Sequence, residues 1–197
     1  MQIKIIAITD APIPSLAEAR ELPPGGIGEI IVRGPVVTRS YDALPDATAA
    51  TKISDGATFW HRMGDCGYLD VERRLWFSGR KAERVETATG TLHSEPCEQV
   101  FRAHPRVARC ALVGLGLRGQ QRPALVVEAT VTNSAAARAF ARELRALALA
   151  HPHTAQIRTF YFRPNFPVDV RHNAKIHRLT LARWAATAQG FESDPKR

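Results

Sequence analysis

Three side chains in this sequence have types and settings suited to nucleotide chemistry. In "HRMGDCGYLD", Gly64 precedes Asp65, so the backbone can turn sharply and present a carboxylate from a strand end. A carboxylate so placed is suited to a pair of sugar hydroxyls, the role acidic residues play in nucleotide sites. In "LWFSGRK", Arg80 follows Gly79 and offers a rigid multi-donor fork to ribose or phosphate oxygens. The third is Lys175 in "PVDVRHNAKIH", placed after a turn expected at Asn173-Ala174. The 27 basic residues include lysine only at positions 4, 52, 81, 175 and 196, so a lysine here stands out against the prevailing arginine. A lysine supplies a compact point charge on a flexible stem, where an arginine supplies a planar fork. Taken singly, each has an ordinary alternative: Asp65 as a turn residue, Arg80 and Lys175 as solvated surface groups.

The elements that must position these residues change character along the chain. "IKIIAI" and "GEIIVRGPVV" read as strands, the second ended by a Gly-Pro turn. Between them "DAPIPSLAEARELPPGGIG" is turn-rich and reads as a surface connection. "TFWHRMGD" predicts an aromatic-rich strand, and "CGYLDVERRLWFSGR" alternates around a polar turn as a β-hairpin does. After Arg80, "EPCEQVFRAHP" predicts a short helix with Pro96 in its first turn. "VARCALVGL", "PALVVEATV" and "QIRTFYF" read as strands, and "NSAAARAFARELRALALAHP" as a helix capped by Asn133 or Ser134. "KIHRLTLARWAATA" predicts a final helix, and "FESDPKR" a frayed end. The fold class is α+β: a β-rich piece over 1–80, then a compact α+β piece over 82–197.

Composition narrows the functions. A 45% hydrophobic content supplies a core, and no window approaches the ~20 apolar residues of a membrane span. The N-terminus does not read as a secretory signal. Cys66, Cys97 and Cys110 are odd in number and widely spaced, which predicts buried thiols in a reducing, cytoplasmic setting. The net charge of +8 is uneven: residues 1–80 hold 9 basic and 10 acidic residues, residues 81–197 hold 18 and 9. Charge alone would suit nucleic acid, but its dispersal over several elements argues against that partner and suits a lid over an anionic ligand.

Three ordered segments carry a resemblance: "GEIIVRGP" (28–35) with Tyr41 beyond it, "GDCGYLD…GRK" (64–81), and the turn that ends in Lys175. In this order they resemble the C-terminal portion of the adenylate-forming superfamily, which contains acyl-CoA synthetases, luciferases and peptide-synthetase adenylation domains. "HRMGDCGYLD", "LWFSGRKAERVET" and "FPVDVRHNAKIHR" most resemble its olefin-pathway β-lactone synthetase branch. The resemblance implies that residues 1–80 are the β-rich tail of a large AMP-binding domain and 82–197 its mobile C-terminal lid. It implies that Asp65 binds the ATP ribose hydroxyls with help from Arg80, and that Lys175 reaches the acyl carboxylate and α-phosphate. Arg171 and His172 would be helpers at the closed face or solvated groups. Position 82, where the family hinge has Asp or Lys, is alanine, and the Gly before the lysine is Ala174.

The resemblance also implies ATP and Mg2+ as cofactors, with the metal ligands outside this stretch, and a long-chain 2-alkyl-3-hydroxy acid as substrate. The partners implied are a missing N-terminal part and other olefin-pathway enzymes. The family's phosphate loop and adenine-contacting segment are not in the sequence, so the chain reads as a fragment that is inactive alone. The alternatives are a fatty-acyl-CoA or acyl-AMP ligase fragment, and a non-catalytic lid or assembly module.

Overall fold

The computed structural model describes residues 1–35, 37, 50–169 and 172–192, and divides them between two compact units, Met1–Ala82 and Glu83–Arg197. In unit 1 the strands are β1 (Gln2–Ile6), β2 (Gly28–Arg33), β3 (Lys52–Asp55), β4 (Thr58–Leu69) and β5 (Leu75–Arg80). They form one antiparallel sheet in the order β1-β2-β4-β3, with β5 on the far half of the long β4. Ile6, Ile13, Ile31, Ile53 and Trp60 pack on one face, and Ile5, Ile30 and Val32 on the other. The connection expected to lie on the surface therefore gives Ile13 to the core, because its Pro14 carbonyl accepts the Ser54 amide and holds it against β3.

β4 is one strand of 12 residues, where a strand ending at Asp65 and a separate hairpin were expected. Between Glu29 and Ile31 of β2, β4 runs from Cys66 to Arg62, so Met63, Gly64 and Asp65 form a bulge. Gly64 takes φ +67° there, a conformation that favours glycine. On the other side, Cys66 faces Gly79 and Gly67 faces Phe77, leaving Ser78 as an extra residue in β5. A Cβ on Gly67 would lie 2.5 Å from the Trp76 carbonyl oxygen, so glycine lets β5 close on β4 at this irregularity.

Unit 2 contains β6 (Val85–Thr87), β7 (Gly90–Leu92), helix α1 (Ser94–Arg102), β8 (Cys110–Leu115), β9 (Arg122–Glu128) and helix α2 (Ser134–Leu149). β10 (Thr159–Arg163), β11 (Val168–Asp169), β12 (His172–Ile176), helix α3 (Arg178–Ala185) and β13 (Phe191–Glu192) follow. The central sheet runs β13-β10-β9-β8, with β9 and β10 parallel across the α2 crossover and the outer pairs antiparallel. Strand alternation sends Cys110, Leu112, Leu125, Val127 and Phe160 toward α1 and α2, and Ala111, Val113, Val126 and Tyr161 toward α3. Asn133 caps α2, its side chain accepting the Ala136 amide at 2.9 Å.

Two expectations near the C-terminus are corrected. Asn173 and Ala174 lie inside β12, and α3 begins only at Arg178. The turn preference of Asn yields to pairing with β11, where Val168 faces Ile176 and Asp169 faces His172, while Ile176 buries against the α3 side of the sheet. Phe191 and Glu192, expected to fray, pair with Phe160 and Thr159, because the Phe191 ring packs on Phe162. All three cysteines are free and buried, as the sequence predicts. No helix among the described residues is long and apolar enough to cross a membrane.

Candidate functional site

Asp65 and Arg80 face each other across β4 and β5 between the two irregularities just described. Arg80 Nη1 lies 2.9 Å from Asp65 Oδ1, with the guanidinium side chain half exposed and the carboxylate largely covered. Despite that proximity, Asp65 Oδ1 accepts no well-aligned hydrogen bond among the described residues. Burial pushes the Asp65 carboxyl above the usual Asp range, and the charge and donors of Arg80 offset this only in part. The arrangement is a largely covered carboxylate held beside one half-exposed cation.

Behind the pair lies a buried ionic cluster that sequence reasoning missed. Glu29, within the apolar run of β2, is 1% exposed and receives Arg62 Nη2 at 2.6 Å and Nε at 3.1 Å. Arg62 Nη1 also donates to the Ala11 carbonyl at 2.8 Å. Lys81 Nζ reaches Glu29 Oε2 at 3.2 Å and the Thr9 carbonyl at 3.2 Å, which fixes the chain directly after Arg80. The available signal was a lone acid inside "GEIIV", since a charge in a fully buried strand demands a partner.

Lys175 belongs to unit 2, where it lies exposed on β12. The end of β12 is tied down by the His177 amide, which donates to the Pro167 carbonyl at 2.9 Å. Asp65 and Arg80 are thus brought together within one unit, and Lys175 is carried by the other. Tyr41 and Arg171 lie outside the described residues, as does the side chain of His172. Among the described residues, no group of three or more His, Cys, Asp or Glu could hold a metal ion.

No family model matches the chain. It is 52% identical over 193 residues to the olefin beta-lactone synthetase of Xanthomonas campestris pv. campestris, covering 94% of this chain and 34% of that protein. It is 50% identical over 190 residues to the olefin beta-lactone synthetase of Stenotrophomonas maltophilia, again 94% and 34%. The chain is thus similar along nearly its whole length to one part of these synthetases. Its fold agrees: o-succinylbenzoate CoA synthetase from Bacillus subtilis, solved in complex with the acyl-adenylate intermediate, superposes with a TM-score of 0.70 at 23% identity. That match covers 96% of this chain and 35% of the other. The chain spans about a third of the length of the curated relatives it matches. The Asp65–Arg80 pair and Lys175 are therefore set in a fold shared with part of that CoA synthetase.

Proposed function

We propose that this chain supplies the ribose-binding pair and the adenylation lysine of an ATP-dependent, AMP-forming ligase. Its substrate in this reading is a long-chain 2-alkyl-3-hydroxy acid, which it closes to a β-lactone. The observation that carries the reading is the sequence match to two olefin beta-lactone synthetases along nearly the whole chain. The geometry of unit 1 adds support: a carboxylate and a half-exposed guanidinium stand side by side at the bulge, a pair of the types that sugar hydroxyls and phosphate oxygens call for.

In the first step the substrate carboxylate attacks the α-phosphorus of ATP and pyrophosphate leaves. Negative charge gathers between carboxylate and phosphorus, where the Lys175 ammonium would stabilise it. In the second step the substrate's own β-hydroxyl attacks the acyl-adenylate carbonyl, loses its proton and expels AMP, closing the four-membered ring. Nucleophile and electrophile share one molecule, so proximity supplies much of the rate and no thiol acceptor is needed. Mg2+ belongs to this reading as the counter-ion of the triphosphate. The described residues offer no cluster for it. The division of labour is between residues 1–80 as part of the AMP-binding domain and 82–197 as a lid that brings Lys175 to the nucleotide. A cytoplasmic setting, supported by three free buried thiols, completes the reading.

The test completes this chain with the N-terminal portion of the Xanthomonas campestris synthetase and supplies ATP with either plain or 3-hydroxy acids. The expected products from the 2-alkyl-3-hydroxy acid are β-lactone, AMP and pyrophosphate without coenzyme A. Lys175→Ala should lower ATP–pyrophosphate exchange by roughly 10²–10³-fold, as loss of a preorganised transition-state charge does. A CoA thioester formed from a plain fatty acid would overturn the lactone assignment in favour of an acyl-CoA ligase. The chain by itself should show no exchange.

A further inference from the structure

Behind the root of β12 stands a second buried charge cluster, one that the proposed reaction does not use. Arg178 opens α3, three residues after Lys175, and closes a two-bond fork on Glu98: Nε to Oε1 at 2.8 Å and Nη2 to Oε2 at 2.8 Å. Its third nitrogen, Nη1, donates to Glu83 Oε2 at 3.1 Å. Glu98 is fully buried on α1, where Oε1 also accepts the Leu112 amide of β8 at 3.0 Å and Oε2 accepts Arg102 Nη2 at 3.2 Å. Burial pulls the Arg178 guanidinium toward losing its charge, but the Glu98 bonds and the charges of Glu83 and Glu95 outweigh that and raise it further.

One guanidinium thus joins four places in unit 2: the first residue of the unit, helix α1, the central sheet and the segment that carries Lys175. β12 itself has a weak hold. Its partner β11 is two residues long, and a two-stranded ribbon is marginal without further packing. An apolar residue at 178 would bury as well at lower desolvation cost, whereas a planar fork fixes direction and register.

We propose that Arg178 is the positioning residue for Lys175. It seats the root of β12 on Glu98, so the ammonium is presented from a fixed base, and its bond to Glu83 registers that base to the start of the unit. This rests on the reading of Lys175 as the adenylation lysine. The mechanical half of the proposal is tested without it.

Hydrogen exchange of the full chain is compared for the native sequence, Arg178→Lys and Glu83→Gln. Arg178→Lys keeps the charge and loses the fork. It should speed exchange at the Ile176 and His177 amides by about tenfold or more while Ala111 and Val126 in the sheet keep their protection. Glu83→Gln should give a smaller rise at the same two amides. No change at 176–177, or an equal rise across β8 and β9, would overturn the proposal. The kinetic half uses the completed enzyme: Arg178→Lys should lower kcat for ATP–pyrophosphate exchange about tenfold with the KM for ATP unchanged. The Lys175→Ala and Arg178→Lys double variant should be no slower than Lys175→Ala alone, since the two losses share one group. Additive losses would show that Arg178 acts independently of Lys175. If Lys175→Ala leaves exchange intact, the functional reading fails, while hydrogen exchange still decides whether Arg178 seats β12.

Discussion

Asp65–Arg80 in unit 1 and Glu98–Arg178 in unit 2 are both carboxylate–guanidinium pairs, yet they leave different amounts of bonding capacity. Glu98 is closed on every side: each oxygen receives one arm of the Arg178 fork and one further donor. Asp65 meets one nitrogen of a half-exposed Arg80, and its Oδ1 takes no aligned hydrogen bond among the described residues. On the proposed reading, the difference separates framework from site. A saturated buried pair can do nothing more than hold elements together, because any new ligand would have to displace a bond already made. The less fully bonded pair at the bulge keeps a half-exposed guanidinium that a ligand can reach without displacing a bond network of that kind.

The largest effect should come from opening the closed pair. Glu98→Ala leaves Arg178 buried without its main partner and should cost unit 2 about 3–5 kcal/mol in urea unfolding. Asp65→Ala, at a partly exposed pair, should cost about 1 kcal/mol or less. Equal costs would erase the distinction between the two pairs. The next effect is a pH response of unit 2. His93, buried beside Arg84, has its imidazole pushed down to about 4 by burial first and by the Arg84 charge second. The unfolded chain takes up that proton near the ordinary value of 6.5, while the folded unit refuses it until about 4. Stability is therefore full above pH 6.5 and falls as the pH drops from 6.5 toward 4, by a loss on the order of 3 kcal/mol, measurable by urea titration. His93→Gln should flatten the profile.

At the open pair the readout is binding. In the completed enzyme, Asp65→Asn should weaken AMP by about 1.5–3 kcal/mol in calorimetry, the range for a hydrogen bond to a charged acceptor. Because the Asp65 carboxyl is raised, native affinity should begin to fall on acidification above the usual Asp range, and Asp65→Asn should remove that dependence. The smallest effect serves as a control outside both pairs. Asn133→Ala removes one cap bond from α2 and should lower stability by about 1 kcal/mol without altering AMP affinity.

Strands and helices with strong local pattern were legible in the sequence. The α2 helix was read from its cap and apolar face, and β8, β9 and β10 from apolar runs between turn residues. What escaped depended on partners far along the chain. β3, β11 and β13 are two to four residues long and exist because β4, β12 and β10 offer edges to pair with. The site divides in the same way. Gly64 before Asp65 announced an unusual backbone, and φ +67° at Gly64 is its cause, yet the bulge inside one long strand requires β2 as a ruler. Arg178 and Glu98 were invisible as a pair because 80 residues separate them, and Arg178 reads locally as an ordinary polar helix position.

The mixed sheet of unit 2 also sets an order for self-assembly. Every strand of unit 1 precedes residue 82, and its sheet is antiparallel throughout. In unit 2 the β9–β10 ladder cannot form until the whole α2 crossover has been made, and β13, at Phe191–Glu192, supplies the last described rung. Parallel ladders closed over long loops are slow to form, so on the ribosome the first unit can settle while the second still waits for its final strand.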